Sequence, residues 1–401
     1  MQLPFCACLL LARLPQVVHS VALAAVQDPP IIQYVKRHES PHVADTNLRR
    51  PDLNIQEWTA MGDSYAAGIG AGSSISRFDY TCFRYNGAYP SVMNTDIAPQ
   101  RPVFNNVACS GEKFPQIISD QFLDTATLLR PAWGNKPQFV TLTMGGNDLG
   151  FKELVSTCVY SIRLFTTLNC TEIIENAQRT VDSPEFHRGA VDVIHTALTK
   201  GTQRTGELFK VFVTGYAQFF NDVTTQCNDV TFKAHGSFWH ANLLTVEFRQ
   251  TLNELSRAVN VALQAAINDV NVASPGRVIY VDYDALYQGH RFCDRIEPNP
   301  LDPETWFFTL GSKDNELMTF LDSIPRFHEV MSGVSELLVG DEEFFRLTAD
   351  AAINDPIKQE NSVAVYRIFH PKSEGHRAIE GVLKESVVAN MGLTTNGSVV
   401  T

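Results

Sequence analysis

The stretch "IQEWTAMGDSYAAG", residues 55–68, puts a β-prone run directly before a Gly-Asp-Ser turn and a row of small residues. The run 56–61 predicts a strand, and Gly, Asp and Ser are turn formers. Such a turn can hold Ser64 up as a nucleophile at the end of a strand, or it can be a turn without chemistry. These three residues do not decide, so the rest of the chain has to supply a base and an oxyanion hole.

Four further β-prone runs follow, at 103–108, 139–144, 209–214 and 278–281. Helical patterns separate them, and the strongest spans 244–266, where apolar residues recur at every fourth position. Strands that alternate with helices form parallel β-α-β units with right-handed crossovers. The chain is therefore predicted to be an α/β protein, with a five-stranded parallel sheet in a three-layer α/β/α sandwich.

The composition and the first residues indicate a secreted protein. Of 401 residues, 44% are hydrophobic and 19% charged, and the net charge of −12 disfavours nucleic acid as a partner. Residues 1–24 are apolar and end in Ala-Leu-Ala, which predicts a signal peptide. Residues 25–54 are polar and contain four prolines, as in an N-terminal arm or propeptide. No later stretch is apolar enough to predict a transmembrane helix.

Six cysteines remain once the predicted signal peptide is removed. They allow fifteen connectivities. Sequential pairing closes the shortest loops and predicts the disulfides Cys82–Cys109, Cys158–Cys170 and Cys227–Cys293. Because no cysteine pair or Cys/His cluster has zinc spacing, neither a metal nor a cofactor is expected. Sequons at Asn169 and Asn396 predict a glycoprotein.

Polar residues follow three of the predicted strands at the edge where parallel α/β sheets bind ligands. Ser64 follows the first, Gly111 the second and Asn147 the third, and His370 comes near the end of the chain. A serine hydroxyl attacks an ester only when a base takes its proton, and imidazole suits that role. The N–H groups of Ser64 and Gly111 and the amide of Asn147 could stabilise the oxyanion that forms. Asn147 could instead cap a helix that starts at Asp148.

Four blocks carry these residues in order: "GDSYAAGIGAG" at 62–72, "ACSG" at 108–111, "GGND" at 145–148 and "HPKSEGH" at 370–376. Together they resemble the GDSL-type esterases of the SGNH hydrolase superfamily. With the three expected disulfides and "GHRFCD" at 289–294, the chain resembles the extracellular esterase/lipase branch. The resemblance implies a flavodoxin-like sheet with strand order 2-1-3-4-5. It also implies Ser64 as nucleophile, His370 as base, and Ser64, Gly111 and Asn147 as oxyanion donors.

The sequence departs from the family pattern at one position. Many members carry Asp three residues before the histidine, where this chain has Arg367. Some relatives in the secreted branch orient the histidine through a backbone carbonyl, which predicts that the Arg367 carbonyl orients His370 in a Ser-His dyad. A carboxylate such as Asp294 or Glu374 is the alternative. His376 is expected to be structural, and Asp63 to fix the turn.

The resemblance implies a catalytic domain over residues 55–392. It contains an aromatic-rich insertion at about 301–356 and is followed by a tail at 393–401. The function predicted is a secreted serine esterase that hydrolyses carboxylic esters, either acyl lipids or acylated carbohydrates. The alternative is a non-catalytic member that binds a glycan or lipid in the same cleft. The sequence does not predict the oligomeric state.

Overall fold

The structure is a computed structural model that describes residues 55–75, 81–97, 101–127, 130–160, 168–232, 242–295, 304–309 and 367–391. The predicted signal peptide 1–24, the arm 25–54, the tail 393–401 and Asn396 lie outside these residues. Of the insertion at 301–356, only 304–309 are described. No helix within the described residues is long and apolar enough to cross a membrane.

Five parallel strands form one sheet with the order β2-β1-β3-β4-β5, as expected. They are β1 Glu57–Gly62, β2 Val103–Asn106, β3 Phe139–Thr143, β4 Lys210–Thr214 and β5 Val278–Val281. Every residue of β3 is buried, which explains its nearly continuous apolar run. The predicted strands at 56–61 and 103–108 correspond to β1 and β2, although β2 ends two residues earlier than predicted.

Helices connect the strands. They are α1 Ser64–Ala67, α2 Tyr89–Asp96, α3 Phe114–Asp120, α4 Phe151–Glu153, α5 Cys170–Val181, α6 Pro184–Thr205, α7 Val246–Ala273 and α8 Ser373–Asn390. A π-helical turn, Leu154–Val159, continues α4, and a 3₁₀ turn spans Asp284–Tyr287. The pattern at 244–266 is α7, which runs seven residues further than predicted. Helix α2 packs on α8, and α6 packs on α3 and α7, which gives the helical layers of the sandwich.

The core between sheet and helices is built on aromatic side chains. Trp58 on β1 is fully buried and stacks on Phe104 and Phe139, with ring centroids 4.5 and 5.2 Å away. Phe139 in turn meets Phe212 of β4 edge-on at 5.7 Å. Burying an aromatic side chain of this size contributes roughly 2–3 kcal/mol. The sheet is therefore a firm support for the segments at its carboxyl edge.

Three disulfides join the six cysteines in the predicted sequential pairs, Cys82–Cys109, Cys158–Cys170 and Cys227–Cys293. All three lie in segments that follow the carboxyl ends of strands or the short helices there. They therefore fasten the loops rather than the sheet.

Candidate active site

The turn that carries Ser64 begins where β1 ends. Gly62 has φ +124°, and a Cβ there would lie 2.1 Å from the carbonyl oxygen of Thr143 on β3. Only glycine lets the two strands approach this closely. Asp63 then caps α1, because its carboxylate accepts the N–H of Tyr65 at 3.0 Å. Ser64 is thus the first residue of α1, at the carboxyl edge of the sheet.

Ser64 and His370 meet at this edge. The distance from Ser64 Oγ to His370 Nε2 is 2.6 Å, and His370 Nδ1 lies 3.0 Å from the carbonyl oxygen of Ile368. A carbonyl only accepts hydrogen bonds, so Nδ1 carries the ring proton. Nε2 is therefore free to accept the hydroxyl proton of Ser64.

The carbonyl that accepts the Nδ1 proton belongs to Ile368, whereas the sequence pointed to Arg367. Residues 367–370 form a turn in which the Arg367 carbonyl accepts the backbone N–H of His370 at 2.9 Å. The next carbonyl, at Ile368, lies within hydrogen-bond distance of the ring. The Arg367 side chain lies over the Phe308 ring, 4.8 Å from its centroid. The hydrogen bond from Nδ1 thus goes to the carbonyl one residue after the predicted one, while the Arg367 carbonyl has a smaller effect on the ring.

Neither of the two alternative carboxylates takes that place. Asp294 accepts hydrogen bonds from the Asn221 side chain and from the backbone of Gly289 and Arg291, which fixes its own turn. Glu374 lies in the first turn of α8. Within the segments that the structure describes, no carboxylate is hydrogen-bonded to His370 Nδ1.

Burial sets the protonation state of the ring. The side chain of His370 is 6% exposed, and desolvation lowers its pKa to about 4. The carbonyls of Ile368 and Arg367 oppose this shift because they favour the imidazolium. At neutral pH His370 is an uncharged ring with one free lone pair directed at a serine hydroxyl.

The loops after β2 and β3 are joined through Asn147. Its Nδ2 donates to the carbonyl of Glu112 at 2.9 Å, and Glu112 directly follows Gly111, which has φ +87°. Helix α4 begins only at Phe151, so Asn147 does not cap a helix at Asp148. The structure brings Asn147 and Ser64 into one pocket, and it places Gly111 next to the carbonyl that holds the Asn147 amide.

Two buried tyrosines hold the same turn, and the sequence did not reveal them. Tyr216 donates to Asp63 Oδ2 at 2.5 Å and accepts the N–H of Gly146 at 3.0 Å. Burial raises the pKa of Asp63 to about 7, and the bonds from Tyr216 and Tyr65 oppose that rise. The sequence feature that could have indicated Tyr216 is its position two residues after β4, at the sheet edge where ligands bind.

His376 lies on α8 and is fully buried, and its Nδ1 accepts the backbone N–H of Tyr89 at 3.3 Å. Desolvation lowers its pKa to about 3. His290, in the "GHRFCD" stretch, stacks on Trp306 with ring centroids 3.8 Å apart. Both are therefore packing residues.

A narrow pocket lies beside Ser64, with about 30 Å³ of space for the centres of water-sized groups, and it is partly open to solvent. Its polar end holds Asp63, Ser64, Asn147 and Tyr216. Most of the other lining residues are apolar, and Ser256 is the exception: Leu149, Phe151, Leu154, Phe219, Leu252, Leu255 and Val259. A hydroxyl paired with an uncharged imidazole and an amide thus border a mostly apolar pocket, an arrangement suited to acyl transfer.

Comparison with known proteins decides the family. The model of the GDSL-like lipase/acylhydrolase family matches residues 60–301, more than half of the chain. The chain belongs to this family. The match starts at Ala60 on β1 and includes the Ser64, Gly111 and Asn147 segments, and this membership supports an ester hydrolase.

Two curated lipases are similar to this family member. Lipase 1 of Streptomyces coelicolor is 32% identical over 170 residues, which are 42% of this chain and 55% of that protein. A lipase of Streptomyces rimosus is 26% identical over 255 residues, 62% of this chain and 78% of that protein. The chain thus spans about half the length of the first relative. Phospholipase A1 of Streptomyces albidoflavus NA297 shares the fold, with a TM-score of 0.51, 20% identity, and coverage of 82% of this chain and 99% of that one.

Proposed function

We propose that the chain is a secreted serine esterase that hydrolyses carboxylic esters with a Ser64–His370 dyad. The observation that carries this proposal is the 2.6 Å contact between Ser64 Oγ and the unprotonated Nε2 of His370. Ser64 attacks the ester carbonyl while Nε2 takes its proton, and the imidazolium then protonates the leaving alcohol. Water enters by the same route and releases the acid. The Ile368 carbonyl keeps the ring in the tautomer that each step needs.

The oxyanion would be held by the N–H groups of Ser64 and Gly111 and by the side chain of Asn147. An amide has two N–H groups. The Glu112 carbonyl binds one and fixes the orientation of the other. A donor fixed before the reaction needs no reorganisation when the charge develops, which is why such groups typically contribute roughly 10²–10³ in kcat.

The pocket favours an acyl lipid over an acetylated carbohydrate. Its walls beyond Ser64 are aliphatic and aromatic, and each buried methylene contributes roughly 0.8 kcal/mol to binding. The curated relatives are lipases, which agrees with a substrate that carries a hydrocarbon chain.

Secretion is supported by two separate features. Residues 1–24 have the pattern of a signal peptide. The three disulfides require an oxidising compartment, which the outside of the cell provides.

The test is hydrolysis of p-nitrophenyl esters from acetyl to palmitoyl by the wild type and by Ser64→Ala. We expect Ser64→Ala to lose at least about 10⁴-fold in kcat with an unchanged melting temperature, because the nucleophile is gone and no packing changes. Ser119→Ala on the exposed face of α3 is the control and should behave as the wild type. Hydrolysis that survives Ser64→Ala would contradict the mechanism. A wild type that binds acyl chains but cleaves no ester would favour the non-catalytic alternative.

A further inference from the structure

The hydroxyl of Tyr65 links the two halves of the candidate dyad. It donates to the backbone carbonyl of Phe369 at 2.8 Å, across 304 positions of the sequence. Tyr65 directly follows Ser64, and Phe369 directly precedes His370. The donor is thus one residue from the nucleophile, and the acceptor is one residue from the base.

Phe369 holds its carbonyl in place at a conformational cost. Its φ is +63°, in the left-handed region that a bulky side chain disfavours. The ring compensates by packing against Phe292 and Phe219, at centroid distances of 4.8 and 5.2 Å. Its N–H donates to the carbonyl of Phe308 at 2.8 Å. Such a residue persists only where its surroundings determine it fully, and these places are often functional.

The aromatic rings around Phe369 hold the peptide between Phe369 and His370 from one side. From the other side, this peptide accepts a hydrogen bond from the Tyr65 hydroxyl. The Tyr65 ring is itself fixed, because it is 3% exposed and lies edge-on to Tyr216 at 5.0 Å. A hydrogen bond from this rigid ring ties the backbone of the base to the helix that carries the nucleophile. A small shift of one reacting group against another lowers the rate of a proton transfer strongly.

We propose that Tyr65 is a positioning residue, whose hydroxyl sets the distance between His370 and Ser64 through the Phe369 carbonyl. This inference rests on the proposed function, since it assigns Tyr65 a role in that dyad. A phenylalanine or leucine at this position would fill similar space without the bond. The fourth residue of the "GDSY" block thus contributes through its oxygen and not only through its bulk.

The experiment compares Tyr65→Phe with a matched control, Tyr283→Phe. Both tyrosines are almost fully buried, but the Tyr283 hydroxyl has no hydrogen-bond partner in the part of the chain that the structure describes. Each variant therefore loses one buried hydroxyl, and only Tyr65→Phe loses a bond. Kinetics on a p-nitrophenyl ester are normalised to the active sites titrated with a p-nitrophenyl phosphonate, and melting temperatures are recorded in parallel.

We expect Tyr65→Phe to lower kcat about tenfold per titrated site, with KM within about twofold of the wild type, because the ring still lines the pocket. The rate of phosphonate labelling should fall by a similar factor, since that step also needs His370 to take the Ser64 proton. Tyr283→Phe should keep wild-type kcat and KM.

An unchanged kcat per site in Tyr65→Phe, with an active wild type, would overturn this inference and leave the proposed function standing. A lower melting temperature without a lower kcat would assign Tyr65 a structural role only, and so would equal losses in both variants. A wild type that cleaves no ester would instead overturn the proposed function, and this inference with it.

Discussion

At the scale of single residues, the site depends on which groups water can reach. His370 and Asp63 are both buried, and desolvation moves their pKa values in opposite directions, to about 4 and about 7. Each shift favours the uncharged form. Ser64 is therefore flanked by an imidazole that is neutral at pH 7 and by a carboxyl group whose pKa is raised toward neutrality.

The pH dependence of catalysis distinguishes these two groups. We expect kcat/KM to fall on the acid side near pH 4 and not near 6.5, because the base works only when neutral and its folded pKa lies about there. As the pH rises through that value the ring loses its proton, so activity increases and then levels off. Rapid assays after a pH jump measure the acid side of this pH profile, and tryptophan fluorescence checks that the protein stays folded.

An acid-side fall between about 6.5 and 7 would contradict this expectation. It would mean that water reaches the His370 ring, contrary to its 6% exposure, or that protonation of Asp63, which weakens the bond it accepts from the Tyr216 hydroxyl, governs activity.

At the scale of elements, helix α7 both supports the loop after β4 and lines the pocket. Its Asn253 accepts the N–H groups of Phe219 and Phe220 and donates to the Phe220 carbonyl, which fixes the loop after β4. Leu252, one residue before Asn253, and Leu255, two residues after it, line the pocket beside Ser64. The helical spacing of apolar residues at 244–266 predicted this helix, because a stripe at period 3.6 has to be buried. It did not predict that part of the stripe faces a cavity.

Leu255→Trp should shorten the acyl chains that the enzyme accepts. The larger ring fills the apolar end of the pocket, so kcat/KM on decanoyl and longer esters should fall by roughly fourfold for each methylene excluded, while acetyl ester hydrolysis stays within a few fold. Val261→Trp, at a 65% exposed position on the same helix, is the control. An equal loss on short and long esters in Leu255→Trp would mean that the acyl chain binds elsewhere.

At the scale of the whole molecule, the sheet was more predictable than the site. The strands followed from buried apolar runs, because strands covered on both faces leave a continuous signature, and their order followed from the resemblance to the family. The meeting of Ser64 and His370 followed from block order. The Ile368 acceptor could not be predicted, because it depends on a turn in which Phe369 has a positive φ, and a phenylalanine gives no indication of that conformation. The Tyr65 bond has its partner 304 positions away, beyond any local pattern.

The three disulfides lie in the segments at the carboxyl edge of the sheet, so they affect both the site and the stability of the fold. Cys109 lies two residues before Gly111, Cys158 lies in the π-helical turn that continues α4, and Cys293 follows Phe292, which packs on Phe369. Each bridge therefore fastens one segment that leads to the site. Their sequence separations are 27, 12 and 66 residues.

Removing the bridges one at a time should rank their effects by loop length. A closed loop restricts the unfolded chain more when it is longer, so replacing Cys227 and Cys293 with alanine should lower the free energy of unfolding by about 4 kcal/mol, against about 3 kcal/mol for the Cys158–Cys170 pair. Urea unfolding of the two double variants at one pH measures this difference. The Cys227–Cys293 variant should also lose activity at urea concentrations below its unfolding midpoint, because the loop that carries Phe292 helps to hold Phe369 and, through it, His370. A larger loss for the Cys158–Cys170 variant would show that contacts of the native π-helical turn, and not the entropy of the unfolded chain, determine what these bridges contribute.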